Sequence, residues 1–221
     1  MTRMVEPLLT EIRQTVLRMG SLSEAILEKS LRAFWERNAG LAAEVQRDDL
    51  EIDRLDVELD ELVLRILATQ SPFADDLREV IASKMIAVDL ERVGDLARNV
   101  AKAAARLSER QDVSYPALLR TLAEEAQRIL RHSLDSFSER DPERAAQVLE
   151  EDDQVDQDEE EVIRAAIEEI RSHPDCVSQE VDFILTAKNL ERVADHATNI
   201  AEAVILAAEA RIVKHADKLS G

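Results

Sequence analysis

Apolar residues recur along this chain at steps of three and four, the spacing that gathers them on one face of a helix. The first such stripe holds Leu9, Ile12, Val16, Met19, Leu22 and Ile26, and predicts a helix from about Thr2 to Arg37. Asn38, a residue type favoured at helix N-caps, opens a second helix to about Thr69 that carries Leu41, Val45, Ile52, Leu55, Leu59, Leu62 and Ile66. Gln70-Ser71-Pro72 ends it, and a third helix follows from about Ala74 to Glu109. Asp112-Val113-Ser114-Tyr115-Pro116 reads as a domain boundary, and a fourth helix then extends to about Arg140. Asp141-Pro142, an N-cap followed by proline at the first helical position, opens a fifth. Ser172-His173-Pro174-Asp175 closes that one, and a sixth is expected from about Ser178 to near His215.

The last three segments repeat the first three. At an offset of 103 residues, Ile26-Leu27, Ser30-Leu31, Phe34, Glu36-Arg37, Ala42-Ala43 and Val45 meet Ile129-Leu130, Ser133-Leu134, Phe137, Glu139-Arg140, Ala145-Ala146 and Val148. At an offset of 100, the run Asp89-Leu90-Glu91-Arg92-Val93-Gly94-Asp95-Leu96-Ala97-Arg98-Asn99 meets Asn189-Leu190-Glu191-Arg192-Val193-Ala194-Asp195-His196-Ala197-Thr198-Asn199. The expected architecture is all-α: a tandem repeat of a three-helix unit, with one unit over residues 1–111 and the other over 112–221.

Composition agrees and narrows the function classes. Only 4 Gly and 5 Pro in 221 residues, with 3% aromatic residues, argue for long helices over a sheet. A net charge of −19 argues against a protein that tracks nucleic-acid phosphates. The single cysteine, Cys176, suits a reducing compartment. The longest stretch without a charged residue, Ile66 to Ala74, is well short of the roughly 20 apolar residues that span a bilayer, and the N-terminus lacks the apolar run of a signal peptide. A soluble cytoplasmic protein is expected.

The charge is also patterned. Each repeat carries two acid-x-x-x-acid pairs on consecutive helices: Asp49/Asp53 with Glu91/Asp95, and Asp152/Asp156 with Glu191/Asp195. Residues four apart share a helix face. In an antiparallel hairpin, residues equidistant from the turn stand level. Asp49 with Asp95 and Asp53 with Glu91 are both centred on Pro72; Asp152 with Asp195 and Asp156 with Glu191 are centred between His173 and Pro174. Both centres fall in the expected turns, so each hairpin should set four carboxylates level, at the edge of a groove in the core. Two carboxylates about 6 Å apart repel by about 3 kcal/mol at an effective dielectric near 20. Four therefore call for a cation, for partial protonation, or for nearby arginines such as Arg54, Arg92 and Arg192. All-oxygen ligation suits Mg, Mn, Ca or iron better than a zinc site rich in Cys and His. The acidic run Glu150-Glu151-Asp152-Asp153 with Asp158-Glu159-Glu160-Glu161 reads as a solvated face apart from Asp152. Asn99 and Asn199 either line the grooves or bond between helices, and His196 stands at most behind the ligands.

Gln70-Ser71-Pro72-Phe73-Ala74-Asp75-Asp76-Leu77-Arg78, the run Asp89-Leu-Glu-Arg-Val-Gly-Asp95, and Asn189-Leu-Glu-Arg-Val-Ala-Asp-His-Ala-Thr-Asn-Ile-Ala-Glu202 resemble the PhoU family of phosphate-signalling proteins. The resemblance covers nearly the whole chain; Leu96 departs from a family pattern that often places an aromatic residue or His after the first Asp. It implies two three-helix bundles related by a pseudo-twofold axis. It also implies multinuclear metal clusters, iron first with Mn, Mg, Zn or Ca as alternatives, on Asp49, Asp53, Glu91, Asp95, Asp152, Asp156, Glu191 and Asp195. By the same resemblance the protein is a non-enzymatic adaptor that holds the phosphate-starvation response off. It would act at the inner face of the cell membrane between the ATPase subunit of a phosphate ABC transporter and a sensor histidine kinase, with a homodimer as a possible assembly.

Two other readings of the residues stand beside this one. Di-metal carboxylate enzymes also place their sites between bundle helices, but they use Glu-x-x-His, and the residues three before each histidine here are Ile129, Ile170, Val193 and Ile212. A metal-free scaffold would have arginines neutralise the grooves.

Overall fold

The computed structural model of the chain describes residues 5–110 and 114–213. Six helices account for nearly all of them: α1 (Glu6–Glu36), α2 (Ala39–Gln70), α3 (Asp75–Ser108), α4 (Ala117–Glu139), α5 (Pro142–Ser172) and α6 (Val177–Glu209). No strand occurs among the described residues. The expected start of the first helix at Thr2 and the expected division between residues 111 and 112 lie outside the described residues.

The local chemistry that opens each second helix is the same in both repeats. The Asn38 side chain accepts from the Leu41 N–H, and the Asp141 carboxylate accepts from the Glu143 and Arg144 N–H groups at 3.0 and 3.1 Å. Each satisfies donors that a helix start otherwise leaves unpaired. The helices before them end alike, on Arg37 (φ 50°) and Arg140 (φ 56°), both in the left-handed conformation that lets the chain reverse.

The apolar stripes expected from the sequence form one core. Ile12, Val16, Met19 and Ile26 of α1 and Val45, Ile52, Leu59 and Ile66 of α2 are fully or almost fully buried, as are Leu90 and Val93 of α3. Each such side chain contributes about 1.5–3 kcal/mol through the area it removes from water. Within the first repeat α1 packs on α2 and α3; within the second α4 packs on α5 and α6. The repeats join through α3 against α6 and α1 against α4, contacts that map onto themselves when the repeats are exchanged, as a pseudo-twofold axis requires. At the α1–α4 crossing a Cβ on Gly20 would fall 2.7 Å from Leu134 Cδ2, so the glycine permits the approach. An aromatic cluster of Phe34, Trp35, Tyr115 and Phe183 fixes the inter-repeat linker, and the Tyr115 hydroxyl donates to the Phe34 carbonyl oxygen at 2.6 Å.

The last helix begins within one residue of the expected Ser178 but ends earlier than expected. A 3-10 turn, Pro174–Cys176, precedes α6, and the helix stops at Glu209, six residues before His215. Beyond Ile205 no α6 residue is buried, and Ile212 is 78% exposed. Ala207 still packs against the core at its edge, and Ala210 (φ 56°) ends the helix.

Removal of the Asp141 cap tests this account of the helix boundary. Asp141→Ala should cost about 1 kcal/mol and lower the melting temperature by about 2–4 °C. An unchanged melting temperature would show that the cap contributes nothing.

Candidate functional site

The grooves form where the hairpins meet. In the first, Asp49 and Asp53 on α2 face Glu91 and Asp95 on α3, and the four act on one another electrostatically. In the second, Asp152 and Asp156 on α5 act in the same way on Glu191 and Asp195 of α6. The structure thus brings together each set of four expected from hairpin geometry. Among the described residues, no three His, Cys, Asp or Glu side chains already converge as a ready-made metal cage.

The two grooves settle their charge differently. Asp49 is 2% exposed, and burial holds its carboxyl above the usual range. The Arg98 guanidinium, one turn further along α3 from Asp95, opposes that shift by pairing with Asp49; it also reaches Asp95 at 2.9 Å. Gly94 lets Asp49 sit this deep, since a Cβ there would lie 2.5 Å from Asp49 Oδ1. Of the arginines expected to neutralise the grooves, Arg92 pairs with Glu91 and Asp95 at 3.4 and 3.3 Å, whereas Arg54 pairs with Glu51 at 2.5 Å.

In the second repeat Thr198 takes the place of Arg98 and Ala194 that of Gly94. The Thr198 hydroxyl turns back to donate to the Asp195 carbonyl oxygen, so it brings no charge. Burial, and then repulsion from Asp156 and Asp195, push the Asp152 carboxyl up to about 7. Its Oδ1 is buried without a hydrogen-bond partner. Burial likewise raises Asp156 and Glu191. The cation acting on both is Lys188, which is already held by Glu159 at 2.7 Å.

Metal in both grooves is what the resemblance implies, and the donor sets fit it unequally. The second offers four mutually repelling carboxylates and an orphaned buried oxygen. In the first, Arg98 already occupies the position of a counter-ion to Asp49 and must leave before a cation can take Asp49.

One sequence expectation changes, and an open one is decided. Asp158 and Glu159 are not part of a solvated face: they are 7% and 3% exposed. α5 packs between α4 and α6, and Asp158 takes the Gln154 amide at 2.7 Å while Glu159 takes Lys188. His196 and Asn199 serve the repeat interface, bonding Asp89 Oδ1 across α3 and α6 at 2.8 and 3.2 Å. Arg98 was not among the candidates, although the repeat alignment placed it against Thr198, the one place where the motif loses a positive charge.

Apolar side chains stay exposed on the hairpin helices that carry the acids. Leu50, Val57 and Leu64 recur every seven residues along α2, and Leu77, Ile81 and Val88 line α3; Val177, Val181 and Leu185 do the same on α6.

Tandem three-helix bundles with an acid-lined groove in each define a duplicated helical scaffold of one recognisable kind. The family model described as the PhoU domain matches residues 16–104 and again residues 119–204, once in each repeat. The chain belongs to the PhoU family. It is 36% identical over 197 residues to the phosphate-specific transport system accessory protein PhoU homolog of Zymomonas mobilis, covering 89% of this chain and 83% of that one. The protein of the same description from Pseudomonas aeruginosa is 32% identical, with 94% and 86% covered. The crystal structure of PhoU from Pseudomonas aeruginosa superposes with a TM-score of 0.90 at 31% identity, over 94% of this chain and all of that one. The Streptococcus pneumoniae phosphate transport system regulatory protein PhoU, at 24% identity and a TM-score of 0.87 over 93% and 97% of the two chains, shares the fold.

The second groove predicts a pH dependence. A carboxyl raised to about 7 when folded, against 3.8 in the free residue, keeps its proton more firmly in the native state. Its stabilising contribution is complete below about pH 4 and is lost as pH rises through about 7. In chelator-treated protein, Asp152→Asn should therefore raise the melting temperature at pH 7, and the gain should shrink toward pH 5. A loss of stability at pH 7 would contradict the assignment.

Proposed function

We propose that this chain is a non-catalytic accessory protein of a phosphate transport system, holding the phosphate-starvation response off while phosphate is plentiful. In this reading it works at the inner face of the cell membrane, between the transporter's ATPase subunit and a sensor histidine kinase. The observation that carries the reading is family membership across both repeats, together with relatives named as accessory proteins of phosphate-specific transport. No helix among the described residues is long and apolar enough to cross a membrane, so membrane contact would come through partners. The exposed apolar rows on the hairpin helices support a protein that works by contact with others.

Cation binding is the second half of the proposal. Asp152, Asp156, Glu191 and Asp195 are the ligand set it favours, because this set lacks an arginine within it and four oxygen donors suit hard cations; the family resemblance puts iron first, with Mn, Mg, Zn or Ca as alternatives. For Asp49, Asp53, Glu91 and Asp95 a specific observation, the Arg98 pair, favours a groove stabilised by protein alone. The bound cation would fix how α6 presents its apolar row against α5.

Deletion of the gene with an alkaline-phosphatase readout in high phosphate tests the role. Constitutive expression is expected, reversed by the wild-type gene and not by a chain with Asp152, Asp156, Glu191 and Asp195 changed to their amides. Normal repression in the deletion strain would overturn the role. Full complementation by the amide variant would remove the cation from the mechanism and leave the adaptor standing.

A further inference from the structure

On the side of the molecule away from the aromatic cluster, a cleft of about 230 Å³ opens between the repeats. Arg13 of α1, Arg78 and Ser83 of α3, and Arg140 at the end of α4 line it, with Phe137 and Ala207 on its apolar wall. In a chain of net charge −19, its three guanidinium groups outnumber the two carboxylates, Asp75 and Glu79, that share the lining.

Two of those cations, Arg13 and Arg78, lack a buried counter-ion. Arg13 donates to the neutral carbonyl oxygens of Phe137 and Ser138, at 3.5 and 2.6 Å, and pairs with no carboxylate among the described residues. Burial and the neighbouring Arg140 charge lower its pKa, against a smaller pull from Glu79. Arg78 pairs with Asp75, a rim carboxylate 85% exposed to water and a weak partner for that reason, while Arg78 Nε is buried without an acceptor. Arg140 pairs with Glu79. Ser83 is 0% exposed, and its hydroxyl has no hydrogen-bond partner. A buried donor left unpaired costs about 1–3 kcal/mol.

The pseudo-twofold axis supplies an internal control. At the corresponding place in the other half, Phe183 stands where Ser83 does, Leu107 where Ala207 does, and Pro116 where Arg13 does. Phe183 packs against Tyr115 at 5.4 Å and fills the space. Asp182 stands where Ala82 does; it is 3% exposed and pairs with Arg106 at 2.6 Å and Arg110 at 3.2 Å. One crevice therefore carries its own buried anion and an aromatic plug. The other keeps its arginines, lacks both the anion and the plug, and stays open.

We propose that this open cleft binds the phosphate group of a small ligand, either inorganic phosphate or a phosphomonoester, through Arg13, Arg78 and the Ser83 hydroxyl. A dianion with three or four acceptor oxygens matches two guanidinium forks and a hydroxyl. The apolar wall of Phe137 and Ala207 leaves room for a short ester substituent. The site is separate from the acid grooves and does not depend on metal in them.

Calorimetric titration of the full chain with inorganic phosphate and with glycerol phosphate, before and after chelator treatment, tests this. Saturable one-to-one binding that survives chelation is expected, and the tighter of the two probes identifies the source. Arg13→Gln and Arg78→Gln should each weaken binding about tenfold. Ser83→Phe, which copies the plug of the other half, should abolish it, with helicity and melting temperature checked in each variant. Arg106→Gln, at the filled crevice, should leave binding unchanged. No binding at millimolar phosphate, equal affinity for chloride, loss of binding on chelation, or indifference to the Arg13 and Arg78 substitutions would each overturn the inference. Loss on chelation would place the anion on a metal in the grooves and leave the proposed cation role untouched.

Discussion

Two antiparallel helices joined by a tight turn bring residues equidistant from that turn to the same level, and in both hairpins of this protein those residues are carboxylates. Asp49 and Asp152 fall in gaps of the apolar stripes on α2 and α5, so hydrophobic packing of the hairpin draws acids toward the core. At an effective dielectric near 20, neighbouring pairs oppose this by about 3 kcal/mol each. The fold is secured by an extensive apolar core, and it tolerates this repulsion only where something offsets it. Arg98 offsets it in the first groove. In the second, no arginine does so, and the Asp152 carboxyl rises to about 7, where it is partly protonated at neutral pH.

Duplication followed by divergence explains where the two halves differ in chemistry while keeping one backbone. Arg98 faces Thr198 in the alignment, Gly94 faces Ala194, and Ser83 and Ala82 face Phe183 and Asp182. Each exchange moves a charge, a cavity or a close contact and leaves the helices in place. In the first half, Gly94 and Arg98 act together: the missing Cβ admits Asp49 to the core, and the guanidinium follows it in. In the second half the buried Asp182 is matched instead by Arg106 and Arg110, which reach it from the first repeat. Charge is thus balanced locally in several ways, and the formal −19 says little about any single face.

Most of the fold was legible because long amphipathic helices announce themselves by period, and because Asn38 and Asp141 cap in the way their chemistry suggests. The level placement of the carboxylates followed from integer geometry about Pro72 and His173-Pro174. What periodicity could not give was the direction of a long side chain. Arg54 is nearer to a groove acid in sequence than Arg98 is, yet of the two Arg98 is the one that reaches Asp49. The burial of Asp158 and Glu159 was hidden for a related reason. An acidic run looks solvated until α4 and α6 close over one side of α5, where Gln154 and Lys188 meet those two acids. The open cleft was the least legible feature, since Arg13, Arg78, Ser83 and Arg140 come from three separate segments with no common motif.

The central claim is that the two acid grooves are unequal, the first closed by Arg98 and the second left to a cation. Electron paramagnetic resonance titration of Mn2+ into the intact protein measures this directly, by comparing Asp152→Asn with Asp49→Asn. The account predicts that bound Mn2+ falls markedly in Asp152→Asn and little in Asp49→Asn. Equal losses in both, or a loss confined to Asp49→Asn, would contradict it.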